Sequence, residues 1–417
     1  MRRVPAPIFL AAAAALLAAG LAVGQVRLPP GEGKALVEQK CGVCHETSRV
    51  LRSGYDREGW RQAVARMVNF GAQLTPREQE TVVAYLAANF PDRGGNRPRI
   101  IPGEVEVSFQ EWDVPTPGAR PHDPLATPDG MIWYTGQMAN VLGRVDPATG
   151  QVREFSLPRA RSGPHGLAAD AQGRIWFTAN FAAYIGRLDP RTGEVAEFPM
   201  PDPAARDPHT LAFDRQGVIW FTVQGGNFVG RLDPASGRID LVRSPTPRSN
   251  PYGVSLDSRG TPFFDEFGSN KIGAIDPATL QIREYVLPDA ASRPRRIAVG
   301  PGDMVWYTDF ARGRLGRLDP RTGKVTEWAS PSGSGSQPYA IAVRKGEVWY
   351  VETGPSPNAL VRFEPRSQTF QSWAIPSGGG VVRNMDVTRE GDLALAESGI
   401  NKIALVRVRQ AAGSGSD

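Results

Sequence analysis

Beyond residue 100, apolar and polar positions recur in short blocks at a fixed spacing. The clearest block is an apolar-aromatic run: Ile132-Trp133-Tyr134-Thr135, Ile175-Trp176-Phe177-Thr178, Ile219-Trp220-Phe221-Thr222, Pro262-Phe263-Phe264-Asp265, Val305-Trp306-Tyr307-Thr308 and Val348-Trp349-Tyr350-Val351, with Leu393-Ala394-Leu395-Ala396 as a weaker seventh copy. From Trp133 to Ala394 the steps are 43, 44, 43, 43, 43 and 45 residues. A second block, Gly-Arg-Leu-Asp-Pro, ends at 190, 234 and 320, with variants ending at Pro147 and Pro277. A third is an outer strand closing on proline, such as Val152 to Pro158. Each unit reads as four short strands between Gly, Asp and Pro turns, and a period in the low forties with four strands predicts propeller blades. Seven blades close a ring and need no end caps. The seventh unit lacks its outer strand, and residues 104–115 carry that pattern ahead of the first unit, so they are expected to complete the last blade.

The periodicity before residue 95 is helical instead. Gly33 to Gln39 reads as a short helix, and Trp60, Val64, Met67 and Val68 fall on one face of a second over Arg57 to Phe70. Thr75-Pro76-Arg77-Glu78 reads as a capping box with proline at the first helical position, opening a helix through Val82, Val83, Tyr85 and Leu86 to Pro91. The fold class expected is an all-β seven-bladed propeller with a small N-terminal all-α domain. Its boundaries are 26–95 for the helical domain, 96–103 for a linker, 104–408 for the propeller and 409–417 for a flexible tail.

Composition narrows the choice of function. The chain has 417 residues, of which 46 are Gly and 37 Pro, a proportion that suits many tight turns. Net charge is only +5, with no long basic run, so nucleic-acid binding has no support. Arg2 and Arg3 precede an apolar run from Ile8 to Val23, with small residues at Ala22 and Gly24. This reads as a signal peptide over 1–24, with an uncleaved anchor as the alternative. At about 16 residues the run is short for a span of ~20. The mature protein is therefore expected to be exported and periplasmic, without a stable membrane span.

Both cysteines fall in Cys41-Gly42-Val43-Cys44-His45. Two thiols at this spacing can form thioethers to the haem vinyl groups, and the following imidazole can reach the iron. Cys41 and Cys44 are thus the expected attachment points of one covalent haem c, with His45 as proximal iron ligand. Met67 is the expected distal ligand, and a plain core role is its alternative.

The other three histidines share one repeat position, in Pro-His-Asp (121–123), Pro-His-Gly (164–166) and Pro-His-Thr (208–210). Corresponding segments carry Tyr252, Arg296 and Tyr339, and in blade 7 the segment is read as Asn384-Met385-Asp386, with Met385 at that place. His122, His165 and His209 should converge on the channel. The residue after the aromatic strand is Gly136, Ala179 and Val223 in blades 1–3, then Glu266, Asp309, Glu352 and Glu397 in blades 4–7. If these share one channel end, imidazoles face carboxylates, a constellation suited to a metal, a polar substrate or acid–base work. The alternative is that each histidine only ties neighbouring blades together.

Two resemblances follow from these motifs. Cys-Gly-Val-Cys-His, Arg-Met-Val-Asn-Phe-Gly-Ala-Gln-Leu-Thr (66–75) and Val-Val-Ala-Tyr-Leu (82–86) resemble the short cytochrome c domains of quinohaemoprotein dehydrogenases. Residues 105–408 resemble the streptogramin (virginiamycin B) lyase propellers through Pro-His-Gly, Ile-Trp-Phe-Thr and Gly-Arg-Leu-Asp-Pro. That second resemblance implies a magnesium ion and a histidine base, with His165 and His209 as the candidate catalytic residues. The nearest counterparts of the lyase site are Asp207-Pro208-His209 and Trp220-Phe221-Thr222-Val223, where Asp207 replaces a glutamate and Val223 replaces the second acid.

The function expected is periplasmic electron transfer, with a small-molecule substrate or a redox partner protein bound at the propeller channel. Metal-assisted lyase or hydrolase activity and a non-catalytic docking scaffold are the alternatives.

Overall fold

The computed structural model describes residues 28–41, 54–69, 71–92 and 97–410. The signal segment and the motif residues Cys44 and His45 lie outside them.

Four-stranded antiparallel sheets, seven in all, make up the propeller. Blade 1 runs through Pro121–Ala126, Ile132–Gly136, Val141–Val145 and Val152–Ser156, and blades 2–6 repeat this order. Blade 7 takes its outer strand from the front of the chain. Val105–Asp113 pairs with Lys402–Gln410 in an unbroken antiparallel ladder, Val105 opposite Gln410 and Asp113 opposite Lys402. That last strand ends at Gln410, two residues beyond the Val408 boundary expected from the sequence.

Two of the recurring sequence blocks turn out to be one packing device. The glycine of the Gly-Arg-Leu-Asp-Pro block lies against the ring of the preceding strand: Gly143 on Tyr134, Gly186 on Phe177, Gly230 on Phe221, Gly273 on Phe264 and Gly316 on Tyr307. A Cβ at any of these glycines would enter the ring, so the aromatic residue requires its glycine. The tryptophans pack between blades; Trp176 lies in the core formed with Leu211, Phe221 and Leu232 of blade 3. Its indole also donates to Asp170 Oδ2 at 2.8 Å, which closes the hairpin turn.

The N-terminal part is helical. A short turn, Lys34–Leu36, continues as the π-helical Val37–Cys41. It precedes helix α1 (Arg57–Asn69) and helix α2 (Pro76–Asn89). Thr75 caps α2 by the capping box its sequence announces, with Thr75 N donating to Glu78 Oε2 at 2.7 Å. Trp60 and Val64 of α1 pack against Val82, Val83 and Leu86 of α2, and Cys41 lies against the same core.

Helix α1 rests on the propeller. Gly118 N donates to Gln62 Oε1 at 3.0 Å, and Asn69 Nδ2 donates to the Pro117 carbonyl at 2.8 Å. Gly118 has φ 67, and a Cβ there would lie 2.7 Å from Ala65 C and closer still to Arg66 N. Only glycine lets the two backbones approach this closely. Residues 114–120 lead into the first inner strand, so α1 sits over the end of the channel where the inner strands begin.

Candidate functional site

At that channel end Pro121, Pro164, Pro208, Pro251, Pro294, Pro338 and Val382 stand opposite Gly136, Ala179, Val223, Glu266, Asp309, Glu352 and Glu397 of the second strands. The register slips after every one of these pairs, a bulge that re-aims the next side chain. Around the ring that next residue is His122, His165, His209, Tyr252, Arg295, Tyr339 and Arg383. This corrects the sequence alignment of blades 5 and 7. The counterpart of the histidines is Arg295, one residue before Arg296, and Arg383, two residues before Met385.

Three imidazoles and a phenol stack in order. Ring centroids are 3.6 Å apart for His122 and His165, 3.8 Å for His165 and His209, and 3.7 Å for His209 and Tyr252. His165 Nδ1 lies 3.0 Å from the His209 carbonyl, and His209 Nδ1 lies 3.1 Å from the Tyr252 carbonyl. A carbonyl only accepts, so both rings carry their proton on Nδ1 and leave Nε2 as the basic nitrogen. Burial holds all three imidazoles well below the usual histidine range, with neighbouring cations adding to the effect. They are neutral at physiological pH. His165 and His209 therefore tie blades together, and they also present a base nitrogen.

One residue further along each inner strand lies a second ring: Asp123, Gly166, Thr210, Gly253, Arg296, Ala340 and Asn384. Small residues here leave space for Arg296 to cross the channel. Its Nη2 donates to Asp123 Oδ1 at 2.8 Å and its Nη1 to Thr210 Oγ1 at 3.1 Å. Beyond this plug the channel widens into a cavity of about 390 Å³, lined by Asp123, Asn384 and Asp386 and by aliphatic side chains such as Val299 and Val343.

On the α1 side of the plug, Tyr252 and Tyr339 join through their hydroxyls. Arg295 lies over the Tyr339 ring at 3.9 Å, with Phe310 at 4.2 Å and Phe267 at 4.8 Å. Burial pushes the Tyr339 phenol up, but Arg295, Arg383 and Arg296 together overcome it and bring the pKa down to about 8. Arg120, on the loop before the first inner strand, is held down to about 9 by burial, with Arg383 and Arg66 of α1 adding positive charge. Sequence reasoning missed Asp123, Arg66, Arg120, Arg295 and Arg383 as site residues. A usable signal existed for Arg295 and Arg383, which hold the histidine position once the frame is right.

The other predicted site residues are elsewhere. Glu266, Asp309, Glu352 and Glu397 are buried at this end but do not face the imidazoles. Glu266 accepts from Ser244 and Ser269, Glu352 from Ser330 and Ser332, and Glu397 from Ser377, while Asp309 accepts from Arg293 N and Arg312. Strand parity explains this: the channel-side neighbour in blade 4 is Asp265, whose Oδ1 accepts from Gly253 N at 2.9 Å. Asp207 sits at the rim, bonded by Asn180 Nδ2, with its pKa raised to about 7 by burial. Val223 is fully buried opposite Pro208 and offers no second acid.

Could the propeller hold a divalent cation? Ligand atoms of His122, Asp123 and His165 lie within 4.8 Å of one another. However, Arg296 already occupies the Asp123 carboxylate, and further guanidiniums crowd the same mouth. Magnesium demands carboxylate or phosphate oxygens in number. The donor set does not fit it.

The residues for haem fit better. Cys41 lies against the helical core, and Met67 is half-buried on α1 outside the packed apolar cluster. The thiol, imidazole and thioether donors of Cys41, Cys44, His45 and Met67 are those a c-type haem takes.

Comparisons with known proteins agree with this division. Residues 31–97 match the haem-binding family model of the quinohemoprotein amine dehydrogenase A alpha subunit, and residues 96–266 match the virginiamycin B lyase family model. A search of curated proteins returns no match. Among solved structures, a streptogramin B lyase is 28% identical at TM-score 0.66, covering 73% of this chain and 98% of its own. A catalytically inactive virginiamycin B lyase from Staphylococcus aureus, solved with quinupristin, is 26% identical at TM-score 0.66, covering 72% and 99%. Hydrazine synthase from Kuenenia stuttgartiensis shares the fold at 16% identity and TM-score 0.58, covering 70% and 96%. The chain thus joins a haem-binding segment similar to that of quinohaemoprotein amine dehydrogenase to a seven-bladed propeller similar to the virginiamycin B lyases.

Proposed function

We propose that this is an exported, periplasmic c-type cytochrome that exchanges electrons with a small-molecule substrate or a redox partner protein held at the propeller channel. The observation that carries this reading is the seating of α1 on the channel mouth through Gln62, Asn69 and Gly118. That contact places the helix bearing Met67 beside the stacked imidazoles and phenols. Haem c, held by Cys41 and Cys44 with His45 and Met67 on the iron, supplies one-electron transfer when bound. The chain's own residues do the rest. Arg296 and Asp123 close the channel below, neutral His165 and His209 offer Nε2 as proton acceptors, and Tyr339 gives up its proton at a mildly alkaline pH.

The lyase alternative is weaker. Val223 removes an acid that the lyase resemblance calls for, and the arginines disfavour the cation that chemistry would use.

One experiment separates the two. The full-length haem-loaded protein is titrated potentiometrically and, separately, incubated with quinupristin. A reversible one-electron step, absent in Cys41→Ala, with intact quinupristin is expected. Absence of that step, or ring opening of quinupristin by both wild type and Cys41→Ala, overturns the reading.

A further inference from the structure

The channel mouth holds more positive charge than the protein neutralises. Arg295 and Arg383 occupy two of the seven ring positions, Arg120 enters from the loop before blade 1, and Arg66 comes from α1. Among the described residues none of these four forms an ion pair; Asp123 belongs to Arg296 and Asp309 to Arg312. Asp207 and Asp265 do not balance the excess, because burial raises them to about 7 and about 8. Enclosed nitrogens also lack partners: Nη1 of Arg66 and Nε of Arg295, Arg296 and Arg383 have none. The side chains of Arg66, Arg120, Arg295 and Arg383 are half-buried, Arg295 reaches only the Tyr252 and Tyr339 phenols, and no carboxylate among the described residues balances them. Enclosed guanidinium nitrogens left without acceptors are costly, and native proteins rarely keep them without a use.

We propose that Arg66, Arg120, Arg295 and Arg383 form an anion-binding chamber, completed across the contact between the haem-binding segment and the propeller, whose ligand is a small organic carboxylate with a flat apolar body. Guanidinium forks match a carboxylate in two parallel hydrogen bonds. Tyr339, Phe310 and Phe267 grip Arg295 by its face, which fixes its plane and leaves the edge for such a bond. The Tyr252 ring, 5.7 Å from the Arg295 guanidinium, supplies an aromatic neighbour for the flat body of the ligand. A bound carboxylate supplies the counter-charge that the Tyr339 phenolate provides only above about pH 8.

This deepens the electron-transfer reading by naming the ligand class, and it rests on the mouth being the working site. Calorimetry on the full haem-loaded protein with benzoate, acetate, inorganic phosphate and benzylamine tests it. Saturable benzoate binding is expected, weaker for acetate and absent for benzylamine. Arg383→Gln and Arg66→Gln should each weaken it by about tenfold, the equivalent of one lost charged contact. Arg383→Lys, which keeps the charge but loses the fork, should fall between. Saturating benzoate should also raise the pH at which Tyr339 ionises, a response that a merely structural arginine cluster would not give. No saturable benzoate binding, equal binding in both glutamine variants, or binding of phosphate alone overturns the proposal. If either glutamine variant is unfolded by circular dichroism, the Tyr339 shift in wild type decides. Binding is read without electron transfer, so failure here leaves the redox reading standing, and failure of the potentiometric step leaves this result intact.

Discussion

The hydroxyls of Tyr252 and Tyr339 meet at the channel mouth, bridging blades 4 and 6 over the side chain of Arg295. The two phenols are not equivalent. Burial and the neighbouring Tyr339 push Tyr252 up, whereas the arginines bring Tyr339 down to about 8. One tyrosine should therefore ionise near pH 8 in the native protein, read as tyrosinate absorbance. Tyr339→Phe should abolish that step, and Tyr252→Phe should move it upward. The native value lies below that of an unfolded phenol. Its contribution to stability is thus absent below pH 8 and grows as pH rises toward about 10.

Arg296 and Asp123 form a buried pair across the channel. Removing one partner leaves the other as an unpaired buried charge, at a cost of about 3–5 kcal/mol. Chemical denaturation of Arg296→Met should show a loss of that size, and adding Asp123→Leu should restore most of it. A loss unchanged by the second substitution would place the role of Arg296 outside this pair.

Burial raises Glu397 to about 8, and the repulsion of Glu111 adds to it. A raised carboxyl gives its full stability below the unfolded pKa, near pH 4, and loses it as pH climbs through 8. Glu397→Gln should accordingly match wild type at pH 4 and exceed it at pH 8, by on the order of 1–3 kcal/mol. Melting curves at the two pH values check this.

Gly118→Val should separate α1 from the propeller, since the new side chain meets Ala65 and Arg66 backbone at a positive φ. Backbone strain alone costs about 1–2 kcal/mol. Limited proteolysis should cut between 54 and 100 faster than in wild type, with the propeller left intact.

Met67→Ala tests the proposal that Met67 is the distal iron ligand. The oxidised haem-loaded variant should lose the weak near-infrared band of thioether ligation, while α1 stays helical. Survival of that band would assign the position to another residue.

Much of the fold was legible because each blade states its packing twice, once as an aromatic residue and once as the glycine beneath it. Phe177 and Gly186 lie nine positions apart in the chain and in direct contact in the sheet. The site was less legible. In blades 5 and 7 the landmark fails: Arg295 and Arg296 are adjacent, and Val382 stands for proline, so the frame slipped by one in blade 5 and by two in blade 7. The direction of Glu266 depends on strand parity at a bulge, which composition does not reveal. The seating of α1 rests on backbone contact at Gly118, a signal that one glycine among 46 cannot carry alone.

The strand Val105–Asp113 sits just after the linker, yet it completes the final blade by pairing with Lys402–Gln410. Its partner is roughly 300 residues away, so this is the most non-local step in folding and among the slowest. During synthesis the ring stays open until Lys402–Gln410 has been made. The helical segment and its Cys41 therefore emerge long before any mouth exists for α1 to cover, so the seating of α1 and the closure of the ring both wait on one late strand.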